Sequence, residues 1–90
     1  MKKWTIGYSN DAKKYLKTLT KAERERIEKA VDKLRDGPYN RYDLDIKPLR
    51  ASNNWRMRVG KYRVIFAIYE NEIHISVVKI GTHGDVYKDN

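Results

Sequence analysis

The stretch Trp55-Arg56-Met57-Arg58-Val59-Gly60-Lys61-Tyr62-Arg63-Val64-Ile65-Phe66-Ala67-Ile68-Tyr69 decides the architecture. Its first five residues alternate apolar and basic, the period-two signature of a strand with one buried and one solvated face. Gly60-Lys61 offers a two-residue hairpin turn with glycine at the first central position, where a positive φ is needed. Tyr62 to Tyr69 reads as the returning strand. This register sets Val59 opposite Tyr62, Arg58 opposite Arg63 and Met57 opposite Val64. Arg58 and Arg63 then stand side by side on the sheet face away from the core, with Arg56 diagonal to them.

The pattern extends in both directions. Glu70, Asn71 and Glu72 turn the chain again, and Ile73 to Ile80 runs back. Met57, Val59, Val64, Phe66, Ile68, Ile73, Ile75 and Val77 then share the core face. Upstream, the period-two pattern starts at Ile46, after a polar loop over 38–45. Before that loop lie two helical stripes, Ala12, Tyr15, Leu16, Leu19 and Ile27, Ala30, Val31, Leu34. Ser9, Asn10 or Asp11 can cap the first helix. Thr20-Lys21-Ala22-Glu23 is a capping-box pattern for the second, and Gly37-Pro38 ends it. Lys3 to Tyr8 reads as a short strand. The expected fold is therefore α+β: an N-terminal strand, a two-helix hairpin, then an antiparallel meander of three to four strands, with the helices on one sheet face. Residues 1–90 have room for one core and are expected to form a single domain.

The chain carries a formal net charge of +8, which calls for a polyanionic partner. With 40% apolar and 36% charged residues it is a folded domain rather than a basic tail. It has no cysteine, which excludes a disulfide framework, a zinc finger and a thiol nucleophile. His74 and His83 are the two histidines, so neither a metal nor a cofactor is expected. No apolar run approaches the ~18 residues of a membrane span. No long apolar segment follows Met1-Lys2-Lys3-Trp4-Thr5 as a signal peptide would require, and a cytoplasmic address is expected.

The charge has a location. From Ile46 to Tyr69 the chain holds Lys47, Arg50, Arg56, Arg58, Lys61 and Arg63, and no acidic residue. Like charges directly opposite one another destabilise a sheet. With no local carboxylate to compensate them, these arginines read as a phosphate-binding platform in preference to an ordinary solvated face. The planar fork of arginine suits phosphate oxygens. An interfacial membrane surface fits less well, because the basic residues alternate along a strand instead of lining a helix. Beyond the last strand, His83 and Tyr87 can both transfer protons. His74, on a strand near a turn, reads as an ordinary surface residue.

Taken in order, these segments resemble the RelE/ParE toxin superfamily of bacterial and archaeal toxin–antitoxin systems. The resemblance is carried by Ser9-x-x-Ala12-x-x-x-Leu16, Lys47-x-Leu49, Trp55-Arg56-x-Arg58-Val59-Gly60-x-Tyr62-Arg63-Val64-Ile65-Phe66 and Ile80-Gly81-x-His83-x-Asp85-Val86-Tyr87. It implies a toxin that cleaves mRNA on the ribosome without a metal, by attack of the substrate's 2′-hydroxyl on the adjacent phosphorus. It also implies a RelB-like antitoxin, acidic or amphipathic, as partner. On this reading Arg63 and Arg58 take the phosphate charge, and Arg56 assists the base or positions the backbone. His83 is the acid, and Tyr87 orients or stacks on a base or transfers a proton. Lys47, Arg50, Arg56, Arg58 and Lys61 bind RNA. His83 departs from relatives that carry arginine there, which leaves a proton donor and a simple cation both open. Two rivals stand beside this: a ParE-like inhibitor of DNA gyrase without nuclease activity, and a remnant that only binds its antitoxin.

Overall fold

The computed structural model describes residues 3–39, 43–50 and 52–82. Gly60 takes φ +59°, and the hairpin closes with Val59 opposite Tyr62, Arg58 opposite Arg63 and Met57 opposite Val64. In chain order the elements are β1 (Thr5–Tyr8), α1 (Asn10–Lys17), α2 (Lys21–Asp32), β2 (Asp45–Pro48), β3 (Trp55–Val59), β4 (Tyr62–Tyr69) and β5 (His74–Thr82). The strands form one five-stranded sheet of order β1-β5-β4-β3-β2. β2 to β5 are an antiparallel meander, and β1 lies parallel to β5 at the opposite edge.

The helices form where their caps predict. Ser9 Oγ accepts from Ala12 N at 3.1 Å and donates to the Val78 carbonyl at 2.6 Å, so one side chain both starts α1 and docks it on β5. Thr20 and Glu23 complete the reciprocal capping box of α2. The last turn before Gly37 tightens into a 3₁₀ helix over Lys33–Asp36. Ala12, Leu16, Ile27, Val31 and Leu34 bring the helical stripes onto one sheet face, against Met57, Val64, Phe66, Ile75 and Val77. Each fully buried aliphatic or aromatic side chain in such a core contributes roughly 1.5–3 kcal/mol.

Three details depart from the pattern. Ile73 adopts the left-handed conformation, φ 49°, with its N–H donating to the Glu70 carbonyl. It ends the turn and stands outside the buried core cluster, where alternation had placed it. β5 does not stop at Ile80 but runs to Thr82, so Gly81 is a strand residue paired with Arg63. Finally, Phe66 pairs with Val77 while Ile65 pairs with Lys79, leaving Val78 as an extra residue in β5. This bulge shifts the alternation by one, so Ile80 joins Ile75 and Val77 in the core despite its opposite parity.

Candidate functional site

Because side chains alternate along a strand, the hairpin register fixes what stands on the face without helices. Arg58 and Arg63 are direct neighbours there. Lys47 on β2 is opposite Arg56 on β3, and Arg56 is opposite Ile65 on β4. Among the described residues Arg63 makes no ion pair and is half-buried. Lys61 sits in the turn beside this cluster. Arg50 lies in the connection after β2, at the Trp55 end of the hairpin and away from the turn. His83 and Tyr87 lie outside the described residues.

The absence of a local carboxylate does not hold. Asp45, one residue before the acid-free span, is the first residue of β2 and faces Arg58 directly. Its Oδ2 lies 3.3 Å from Arg58 Nε, and its Oδ1 lies 3.7 Å from Arg56 Nη1. The two arginines differ sharply in access. Arg58 has a side chain 51% exposed, whereas that of Arg56 is 9% exposed, and its Nη1 is buried without a hydrogen bond. A buried guanidinium held, among the described residues, only by a long contact to Asp45 is better placed to fix β2 against β3 than to reach a substrate. Arg58 and Arg63 are the approachable pair.

The turn that carries these arginines is tied to α2. Tyr62 is buried and donates from its hydroxyl to Glu23 Oε2 at 2.6 Å. The other carboxylate oxygen of Glu23 accepts from Thr20 N at 3.3 Å and Thr20 Oγ1 at 3.1 Å. Lys61 Nζ is 3.9 Å from Glu23 and 5.4 Å from the Tyr62 ring centre. The hydrogen bond from Tyr62 is the main reason the Glu23 carboxyl titrates below its ordinary range, and acceptance by Glu23 pushes Tyr62 up to about 12. The Arg26 guanidinium packs on Gly60, so close that a Cβ there would sit 3.2 Å from it. The sequence signal for the Glu23–Tyr62 link was the capping box itself, but its second use was not readable locally.

Among the described residues no three His, Asp or Glu side chains come together as a metal site. No helix among them is long and apolar enough to cross a membrane.

A family model described as "ParE toxin of type II toxin-antitoxin system, parDE" matches residues 3–87. The chain is 26% identical over 88 residues to the Methanocaldococcus jannaschii protein named "Putative toxin RelE1", covering 97% of this chain and 98% of that one. It resembles a chain of the archaeal RelE–RelB complex from Pyrococcus horikoshii OT3, with TM-score 0.79 and 26% identity over 91% of this chain and 97% of that one. A chain of the Mycobacterium tuberculosis toxin–antitoxin complex RelBE2 shares the fold at TM-score 0.77 and 18% identity, over 90% and 99%.

Proposed function

The chain belongs to the RelE/ParE superfamily, as a toxin of the type II toxin–antitoxin class, and from that premise we propose that it is a ribosome-dependent endoribonuclease acting on mRNA. The observation that carries this reading is the cross-strand pair Arg58 and Arg63 on the helix-free face, with Arg63 unpaired among the described residues. Two guanidinium groups on adjacent strands present forked donors to one phosphate.

The reaction is a transphosphorylation. The 2′-oxygen of the substrate bonds to phosphorus as its proton leaves to a base. The bond from phosphorus to the 5′-oxygen breaks, and that oxygen takes a proton from an acid. The products are a 2′,3′-cyclic phosphate and a 5′-hydroxyl. Arg63 and Arg58 stabilise the charge that builds on the phosphoryl oxygens, an effect typically of about 2.7–4 kcal/mol per donor in a dry site. Arg56 holds the strands in place. The acid is His83, and Tyr87 orients or stacks on the substrate. Lys47 extends the basic surface along the RNA backbone, with Arg50 at the far end, whereas Lys61 is turned toward Glu23 of α2 and away from that face. A site with so few groups of ordinary pKa is slow on free RNA, so the ribosome supplies orientation.

The partner that restrains the toxin is an acidic or amphipathic antitoxin that folds on binding. The solved relatives in complex with RelB-type proteins support an antitoxin as the partner.

A second reading, a gyrase-directed toxin without nuclease activity, is favoured by the ParE description of the matching family model. Purified protein added to a translating extract distinguishes them. Cuts in mRNA at codon positions are expected. Intact mRNA together with gyrase-dependent double-strand DNA breaks would overturn the nuclease reading in favour of the second.

A further inference from the structure

We infer that Tyr69 and His74 form a base-stacking subsite for single-stranded RNA on the same sheet face as the arginines. This inference rests on the nuclease reading for its ligand but on a separate set of residues for its geometry.

Tyr69 lies six residues beyond Arg63 on β4, and six is an even number, so both side chains leave the same face. At about 3.3 Å per residue the two are roughly 20 Å apart, a span of at most about six stacked nucleotides. Tyr69 is 48% exposed, the most exposed large hydrophobic residue among those described. The core does not need it, since Ile68 and Phe66 point the other way. Most other described aromatic rings are engaged with each other, as Trp4–Tyr39–Trp55 and Tyr15–Tyr62.

His74 is the direct cross-strand partner of Tyr69, with ring centres 6.3 Å apart and planes tilted by 30°. Its Nδ1 is 2.7 Å from Thr5 Oγ1, so the ring is oriented before any ligand arrives. Gly7 leaves room for it, because a Cβ at that position would meet His74 Cε1 at 3.3 Å. The next row of the sheet on this face is Ala67, Ser76 and Gly7, all small. A fixed pair of rings thus rises beside a low floor on a surface whose other end binds phosphate. That combination is how sheet proteins hold single strands: aromatic faces take bases, and cations take the backbone. A cross-strand aromatic pair also stabilises a sheet, which is why stability alone cannot test the role.

The test is binding of a fluorescently labelled decaribonucleotide, made non-cleavable by 2′-O-methylation, measured by anisotropy across a salt series. Tyr69→Ala is expected to weaken binding roughly tenfold without changing the salt slope, since it removes a stack and no phosphate contact. Tyr69→Phe should bind within about twofold of wild type, because the ring face is kept. Arg63→Ala should instead lower the salt slope by about one. An oligonucleotide with abasic sites away from the scissile step should bind wild type as weakly as the intact one binds Tyr69→Ala. Equal affinity of Tyr69→Ala and wild type, with Arg63 still required, overturns the subsite and leaves the nuclease reading standing. Sensitivity to Tyr69 without sensitivity to Arg63 supports the subsite and counts against the arginine platform. No binding by wild type overturns both.

Discussion

Asp45 is the direct cross-strand neighbour of Arg58, and its carboxylate bridges toward Arg56 as well. An acidic group on β2 therefore already engages Arg58 on the side away from Arg63. Asp45 sets Arg58 and Arg56 in place, and under the proposed function it competes with the substrate phosphate for Arg58. Asp45→Asn should raise affinity for a non-cleavable oligonucleotide several-fold at low salt. The stability cost should exceed the ~1 kcal/mol of an exposed ion pair, because the buried Arg56 guanidinium loses its carboxylate neighbour. Anisotropy titrations and thermal melts check both. Unchanged or weaker RNA binding by this variant would mean that Asp45 does not compete with phosphate.

Arg63 has no ion pair among the described residues, and its loss should leave stability within about 0.5 kcal/mol. Arg63→Ala should abolish cleavage of ribosome-bound mRNA, or reduce it by at least ~10²-fold. Single-turnover cleavage assays with a chemically denatured control for folding read this out. A variant that cuts at the wild-type rate would remove Arg63 from the site.

The Glu23–Tyr62 hydrogen bond gives the hairpin anchor a pH window. The folded state lowers the Glu23 pKa, so that contribution is present above the ordinary glutamate range and is lost as pH falls through the folded value. Tyr62 is raised from 10.0 to about 12, so its contribution is complete below 10 and is lost as pH rises toward 12. The stability difference between wild type and Tyr62→Phe should accordingly be largest near neutral pH and shrink at both extremes. Urea denaturation at pH 3, 7 and 11 measures it. A difference that stays constant across that range would refute the linkage.

His83→Arg separates the two roles open to that residue. It keeps a cation and removes a ready proton. If His83 is the acid, the rate should fall by ~10²–10⁴-fold, and a substrate with a 5′-phosphorothiolate leaving group should recover it. A His83→Arg enzyme as fast as wild type across the neutral range would leave His83 as a cation only.

The parts of the fold that were legible are those set by local chemistry. The Gly60 turn, the Arg58–Arg63 register and the Thr20–Glu23 cap each follow from residues within a few positions of one another. What was hidden depends on residues far apart in sequence. Asp45 belonged to a polar loop on its own pattern, and only pairing with β3 brings it against Arg58. His74 reads as an ordinary surface residue until Thr5, 69 positions earlier, is placed beside it. The bulge at Val78 escaped detection because Val77, Val78 and Ile80 are all apolar, and hydrophobicity alone does not say which of them is the extra one.

The parallel pairing of β1 with β5 has a consequence for how the protein comes into being. β1 hydrogen-bonds β5, more than sixty residues later, so the sheet edge at Thr5–Tyr8 stays vacant until His74–Thr82 has been made. Pairing across such a separation is slow to form and cannot begin before β5 has been made. Thr5 meets His74 only at that final step, so the hydrogen bond that fixes the His74 ring forms after the local β4–β5 pairing that sets Tyr69 beside it. The β3–β4 hairpin, by contrast, is local and can close earlier. A chain being made can thus close its arginine hairpin before β1 finds its partner, and the five-stranded sheet is finished only once β5 has been synthesised.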